Sequence, residues 1–127
     1  MTSALRNFLI ACGFLAAASA FAQAPAPRAP YENDLNQLAE ILGALHYLRP
    51  LCGANEPTQW RNEMQSILDS ANLPPPQRDM VVNSFNRGYT AYEQTYRSCT
   101  PAAAVAIKRF LDEGARLSRE IATRYGN

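Results

Sequence analysis

Histidine is almost absent from this chain. His46 stands alone, and that scarcity removes several kinds of chemistry at once. One imidazole cannot anchor a conventional zinc site when the cysteines are oxidised. A di-iron carboxylate bundle needs Glu-x-x-His on two helices, and neither copy is present. Haem attachment through C-x-x-C-H is missing, as is the closely spaced C-x-x-C pair of redox-active dithiols. No recognisable motif ties a serine, cysteine or threonine nucleophile to His46. No cofactor is therefore expected. Charge excess is missing too, with twelve basic residues against eleven acidic ones. A net charge near zero gives no long-range pull on nucleic acid or anionic lipid, so both are disfavoured as partners. Lysine is reduced to Lys108, the other basic residues being arginine. That bias suits bidentate recognition of carboxylate or phosphate, but GC-rich coding explains it without any ligand.

The N-terminus reads as an address. Arg6 supplies a positive charge, Phe8 to Ala20 is an almost unbroken apolar run, and Ala20-Phe21-Ala22 places small residues where signal peptidase needs them. The expectation is a secretory signal peptide over residues 1–22, cleaved after Ala22. The alternative register, Ala22-Gln23-Ala24, would leave Pro25 just after the cut and block the peptidase. Leu9-Ile10-Ala11-Cys12 matches a lipobox, but the apolar run continues past Cys12, where a lipobox would close it. A retained anchor is disfavoured because the run falls short of the roughly 20 residues that span a bilayer. No stable membrane insertion is expected after cleavage. Residues 23–30 are rich in proline and alanine and read as an extended spacer.

Residues 31–127 are expected to form one all-α domain. The first helix should run from about Glu32 to Arg49, with Leu35, Leu38, Leu42 and Leu45 at helical spacing and Ile41 and Leu48 widening the stripe. Pro50 should end it. The second begins near Pro57 and buries Trp60, Met64, Ile67 and Ala71. The third starts within Pro74-Pro75-Pro76 and runs to about Arg97, presenting Val81, Phe85, Gly88, Tyr92 and Tyr96. The fourth has Thr100 as N-cap and Pro101 at its first position, with a seam through Ala103, Ile107, Phe110, Gly114, Leu117 and Ile121. Nothing reads as a strand. Four helices joined by short loops favour an antiparallel bundle.

Cys52 and Cys99 lie just past the ends of the first and third helices. In an up-down-up-down bundle those ends share a pole, and with Cys12 removed the two thiols are the only pair left. A disulfide closing this loop stabilises the fold by about 4 kcal/mol on a chain-entropy argument. Gly43 and Gly88 fall at similar heights below that pole, which suggests close approach of the first and third helices.

The candidate binding residues gather on the third helix and at the disulfide pole: His46, Arg49, Arg87, Tyr89, Tyr96 and Arg97. Aromatic walls with guanidinium donors suit a peptide carboxylate or a sugar, and the start of the fourth helix at Thr100 adds unpaired N–H groups. Arg49 and Arg97 are equally placed to cap helix C-termini.

Several stretches carry a resemblance: Tyr31-Glu32-Asn33-Asp34-Leu35, Leu45-His46-Tyr47-Leu48-Arg49 with Cys52, Trp60-Arg61-Asn62-Glu63-Met64, Phe85-Asn86-Arg87-Gly88-Tyr89, and Tyr96-Arg97-Ser98-Cys99-Thr100-Pro101. Together they resemble an uncharacterised family of small exported proteins of alphaproteobacterial type. The resemblance implies a Gram-negative periplasmic address and brings no activity or catalytic residue with it. The leading expectation is a non-enzymatic periplasmic protein of the cell envelope that binds a peptide, a glycan fragment or a protein partner. One alternative is a peptidoglycan-acting enzyme or enzyme regulator, with His46 and Glu56 or Glu93 in acid–base roles. The other is a small periplasmic chaperone.

Overall fold

A computed structural model describes residues 30–126. The expected signal peptide, its cleavage site and most of the spacer lie outside the described residues. Four helices make up the fold, with no strand among the described residues: α1 (Tyr31–Leu51), α2 (Gln59–Ala71), α3 (Pro75–Thr95) and α4 (Pro101–Tyr125).

The helices begin and end where local chemistry dictates. Pro75 and Pro101 each open a helix at a position whose missing N–H costs nothing. The Thr100 hydroxyl accepts a hydrogen bond from the Ala103 N–H at 3.1 Å, satisfying one orphan donor of α4. Asn72 closes α2 in the left-handed conformation (φ 48°), and Gly53 takes φ 92° just after α1. Pro50 does not end α1, contrary to expectation. A proline near the helix end forfeits a single N–H while its fixed φ remains helical. The following donors still reach back, Cys52 N–H to Leu48 O at 3.0 Å and Gly53 N–H to Pro50 O at 3.0 Å. At the other end of the pattern, α3 stops at Thr95 rather than Arg97, because Tyr96 is extended (φ −118°).

α1 is the hub. Ile41, Leu42, Gly43, Ala44 and Leu45 are buried in succession, so burial in its middle turns is not confined to one stripe. It packs against α2, α3 and α4, whereas the backbone of α4 comes close to α1 alone. In an evenly spaced bundle each helix would bury one stripe against two neighbours. Here three helices surround a fourth.

Contacts fix the directions. Asn36 meets Ser84, Glu40 meets Arg87, Tyr47 meets Tyr96 and Cys52 is bonded to Cys99, so α1 and α3 run the same way. Tyr31 meets Tyr125 and Gln37 meets Glu113, so α4 runs opposite to α1. The α1–α3 contact is backbone on backbone. A Cβ on Gly43 would overlap the Phe85 carbonyl, and one on Gly88 would overlap the Glu40 carbonyl. Only glycine at both crossing points permits this approach. The Cys52–Cys99 disulfide then fastens the C-terminal ends of the two helices, with Cα atoms 4.9 Å apart.

Candidate functional site

Two regions hold chemistry, one at each end of α1. The disulfide pole contains most of the residues singled out by sequence. The His46 ring lies 5.6 Å from the rings of both Phe85 and Tyr89. Tyr89 in turn sits edge-on to Tyr47, with centroids 5.5 Å apart, and the Tyr47 hydroxyl donates to the Tyr96 carbonyl. These contacts stitch α1 to the last turns of α3. Nδ1 of His46 is buried and makes no hydrogen bond among the described residues. Burial first, and the positive charge of Arg61 second, lower the His46 pKa below its ordinary 6.5.

Arg49 points to a neighbour rather than to an open site. Its Nε donates to Glu56 Oε2 at 3.0 Å and its Nη2 donates to Oε1, a bidentate pair. Trp60 Nε1 donates to the same carboxylate at 2.9 Å. The hydrogen bond from Arg49 holds the Glu56 carboxyl below its usual 4.5, and Trp60 adds to it. This trio fastens the α1–α2 loop to the start of α2. Arg87 lies further down α3, donating to the exposed Glu40 carboxylate at 2.8 Å and to the buried Ser84 hydroxyl at 3.3 Å. Arg97 is exposed in the α3–α4 turn. The structure thus brings His46, Tyr89 and Tyr96 together through Tyr47. Arg49 is engaged by Glu56, and Arg87 sits apart.

The second region is a groove at the opposite end, between α2 and α4. The backbones of these helices stand apart, and the first two turns of α1 form its floor through Leu35 and Leu38. Ile67 and Ala71 of α2 make one aliphatic wall, and Ile121 and Ala122 of α4 make the other. Tyr31 and Tyr125 close one end with centroids 5.5 Å apart. The volume is about 480 Å³, within the range of pockets that take small ligands. Hydroxyls of Ser66, Ser70 and Ser118 line the rim, and Glu63 is the one charged residue among the described lining. Such a surface can bury an elongated apolar segment and offer hydrogen bonds along its edge.

Residues 30–125 match the family described as a protein of unknown function, DUF2385. The chain belongs to this family. No curated protein and no solved structure matches it. The DUF2385 domain begins one residue before α1 and ends with α4, so both cysteines, the glycine crossing and the groove lie inside it. Sequence reasoning missed the groove because it placed Ile67, Ala71 and Ile121 in a closed core. In the DUF2385 domain these residues are only half buried, since α2 and α4 stand apart. A signal was present: Ser66 and Ser70 flank the α2 stripe, and Ser118 and Ala122 flank that of α4, each pair four residues apart. Small side chains beside an apolar stripe leave space rather than fill it.

Proposed function

We propose that the protein is a non-enzymatic binding protein of the bacterial cell envelope, exported to the periplasm, which holds an extended apolar peptide stretch in the α2–α4 groove. The groove is the observation that carries this reading. Its aliphatic walls suit small apolar side chains, and the Ser66 and Ser118 hydroxyls on its rim suit the carbonyls of an extended backbone, while the Ser70 hydroxyl donates to the Ser66 carbonyl at 2.8 Å. A glycan would prefer open aromatic faces, and here the tyrosines sit at one end only. Export rests on the leader pattern ending at Ala22, and the disulfide accords with an oxidising compartment. No helix among the described residues is long and apolar enough to cross a membrane, and the near-neutral charge disfavours nucleic acid.

Filling the groove tests the reading. Ala122 is exposed and lines the groove, so Ala122→Trp places a bulky ring in the site without disturbing the core. Binders selected from a library of extended peptides on the wild-type protein should bind this variant at least tenfold more weakly, about 1.4 kcal/mol, with the melting temperature unchanged. Equal affinity for the two proteins removes the groove as the site. Export is tested separately by intact mass: secreted material should begin at Gln23.

A further inference from the structure

The backbone of α4 comes close to α1 alone, so a cleft opens on each of its flanks. One is the α2–α4 groove. The other faces α3 and encloses about 360 Å³. Ile41 of α1 lies beneath it, and the Tyr92 and Phe110 rings, 5.1 Å apart, stand towards the disulfide pole.

Charge sets this second cleft apart. Arg109 and Glu113 of α4 both line it, and they stand four residues apart, a spacing at which opposite charges on a helix meet. Lys108 and Asp112 of the same helix do meet, at 2.8 Å, and Arg116 meets Glu120 at 2.7 Å. Arg109 and Glu113 instead turn away from each other. The Arg109 guanidinium lies 4.9 Å from the Phe110 ring centroid, and its Nη2 donates to the Tyr92 hydroxyl of α3 at 3.5 Å. Glu113 turns towards α1, where its Oε1 accepts from the Gln37 amide at 2.8 Å. Each keeps unused bonding capacity. A guanidinium has five N–H donors, and Arg109 makes one long hydrogen bond among the described residues. Oε2 of Glu113 accepts none there, and neither does Oε1 of Glu40, which lines the cleft one turn along α1 from Gln37.

We propose that this α3–α4 cleft is a second binding site, independent of the groove, for the zwitterion of an apolar α-amino acid. The ligand's ammonium donates to Glu113 and Glu40, and its carboxylate accepts a bidentate pair from Arg109. Its side chain rests against Ile41 and the two rings. The charges balance. Arg87 already neutralises Glu40 at 2.8 Å, which leaves one carboxylate and one guanidinium to face one ammonium and one carboxylate. The reach is also right. Four residues of helix rise about 6 Å, and an α-amino acid with a hydrogen bond at each charged end bridges about 8 Å. A peptide carries those two charges at opposite ends of its chain, so it cannot satisfy both here. A sugar needs an open ring face, whereas Tyr92 is stacked on Tyr96 and Phe110 is flanked by Arg109 and Tyr92.

The test is a nitrogen-edited NMR titration of the intact mature protein with phenylalanine and leucine, using both enantiomers of each. Saturable shifts are expected at the Arg109 Nε–H, the Gln37 side-chain amide and the Glu113 backbone amide. Phenylalaninamide lacks the carboxylate and N-acetylphenylalanine lacks the ammonium, and each should bind about tenfold more weakly than phenylalanine. Two variants identify the partners. In Arg109→Gln, phenylalanine should lose its advantage over phenylalaninamide. In Glu113→Gln, it should lose its advantage over N-acetylphenylalanine. A residue that merely shaped the cleft would weaken all three ligands alike, and that outcome overturns the assignment. Neither side chain is in the core, so the melting temperature should hold. Should a variant unfold, the three ligands on the wild-type protein still decide. No saturable shift with any of these amino acids, or equal affinity for phenylalanine and its two derivatives, overturns the proposal. Shifts confined to Ile67 and Ile121 place the amino acid in the groove instead, overturning the second site and leaving the groove reading standing.

Discussion

His46 and Glu56 sit near the same pole but respond to acid in different windows. The folded-state pKa of His46 is lowered, so on acidification the unfolded chain takes up the proton first. Stability is then complete above about pH 6.5 and declines as the pH falls from there towards the lowered folded value. Glu56 is also lowered, but it is a carboxyl stabilised in its charged form by Arg49 and Trp60. Its contribution is present above about pH 4.5 and is lost as the pH falls through its folded value. Urea midpoints measured against pH should fall in two steps. His46→Phe should remove the upper step and keep the aromatic contacts with Phe85 and Tyr89. Glu56→Gln should remove the lower step and cost about 1.5 kcal/mol at neutral pH, since it discards a charge-assisted bidentate pair. A single step untouched by His46→Phe would show that the imidazole binds its proton equally well in the folded and the unfolded chain. From the sequence Arg49 was expected to bind a ligand or cap the end of α1, and its side chain pairs with Glu56. That partner was not legible, because Glu56 lies in a loop whose path no periodicity describes.

At the scale of the element, the α1–α3 crossing decides the fold. Gly43→Ala or Gly88→Ala forces a methyl group onto a backbone carbonyl, which cannot rotate aside as a side chain can. Each should destabilise by about 2–3 kcal/mol, read as a shift of the urea midpoint. Gly114→Ala is the control. Its added methyl meets Ile41 Cγ2 at 3.2 Å, a side-chain atom that can give way, and the helix gains about 1 kcal/mol in propensity. That variant should stay within about 1 kcal/mol of wild type. The leucine stripe of α1 and the matching heights of Gly43 and Gly88 were readable from spacing alone. Burial of Ala39 and Ala44 on the other faces of α1 was not, since small residues carry no stripe and mark burial only once neighbours close around them. Pro50 misled for a related reason: a proline stops a helix interior, but in a last turn it costs one donor. Thr100 was read correctly because a cap is local chemistry, and Thr100→Ala should cost about 1 kcal/mol.

On the scale of the whole molecule, the disulfide joins residues 47 positions apart at the end of the α1–α3 pair. Replacing both cysteines by serine should remove up to about 4 kcal/mol on the chain-entropy argument, seen as a lower melting temperature with helical content preserved below it. The hub position of α1 has a further consequence for the order in which the molecule can form. The hub is delivered first, whether the chain leaves a ribosome or a membrane pore N-terminus first. Its most intimate partner, α3, follows only after the loop and α2 have emerged. The parallel pairing must therefore close a long loop before it gains a single backbone contact. Until then the leucines of α1 have only α2 to cover them, and their remaining faces stay exposed to other nascent chains. Folding should accordingly be slower than is usual for an all-helical domain of this size. Variants at the glycine crossing should slow refolding if that crossing is already made in the transition state, and a stopped-flow chevron of Gly88→Ala reads this directly. The arrangement that gives the folded molecule its centre leaves the growing chain without one until most of it has been made.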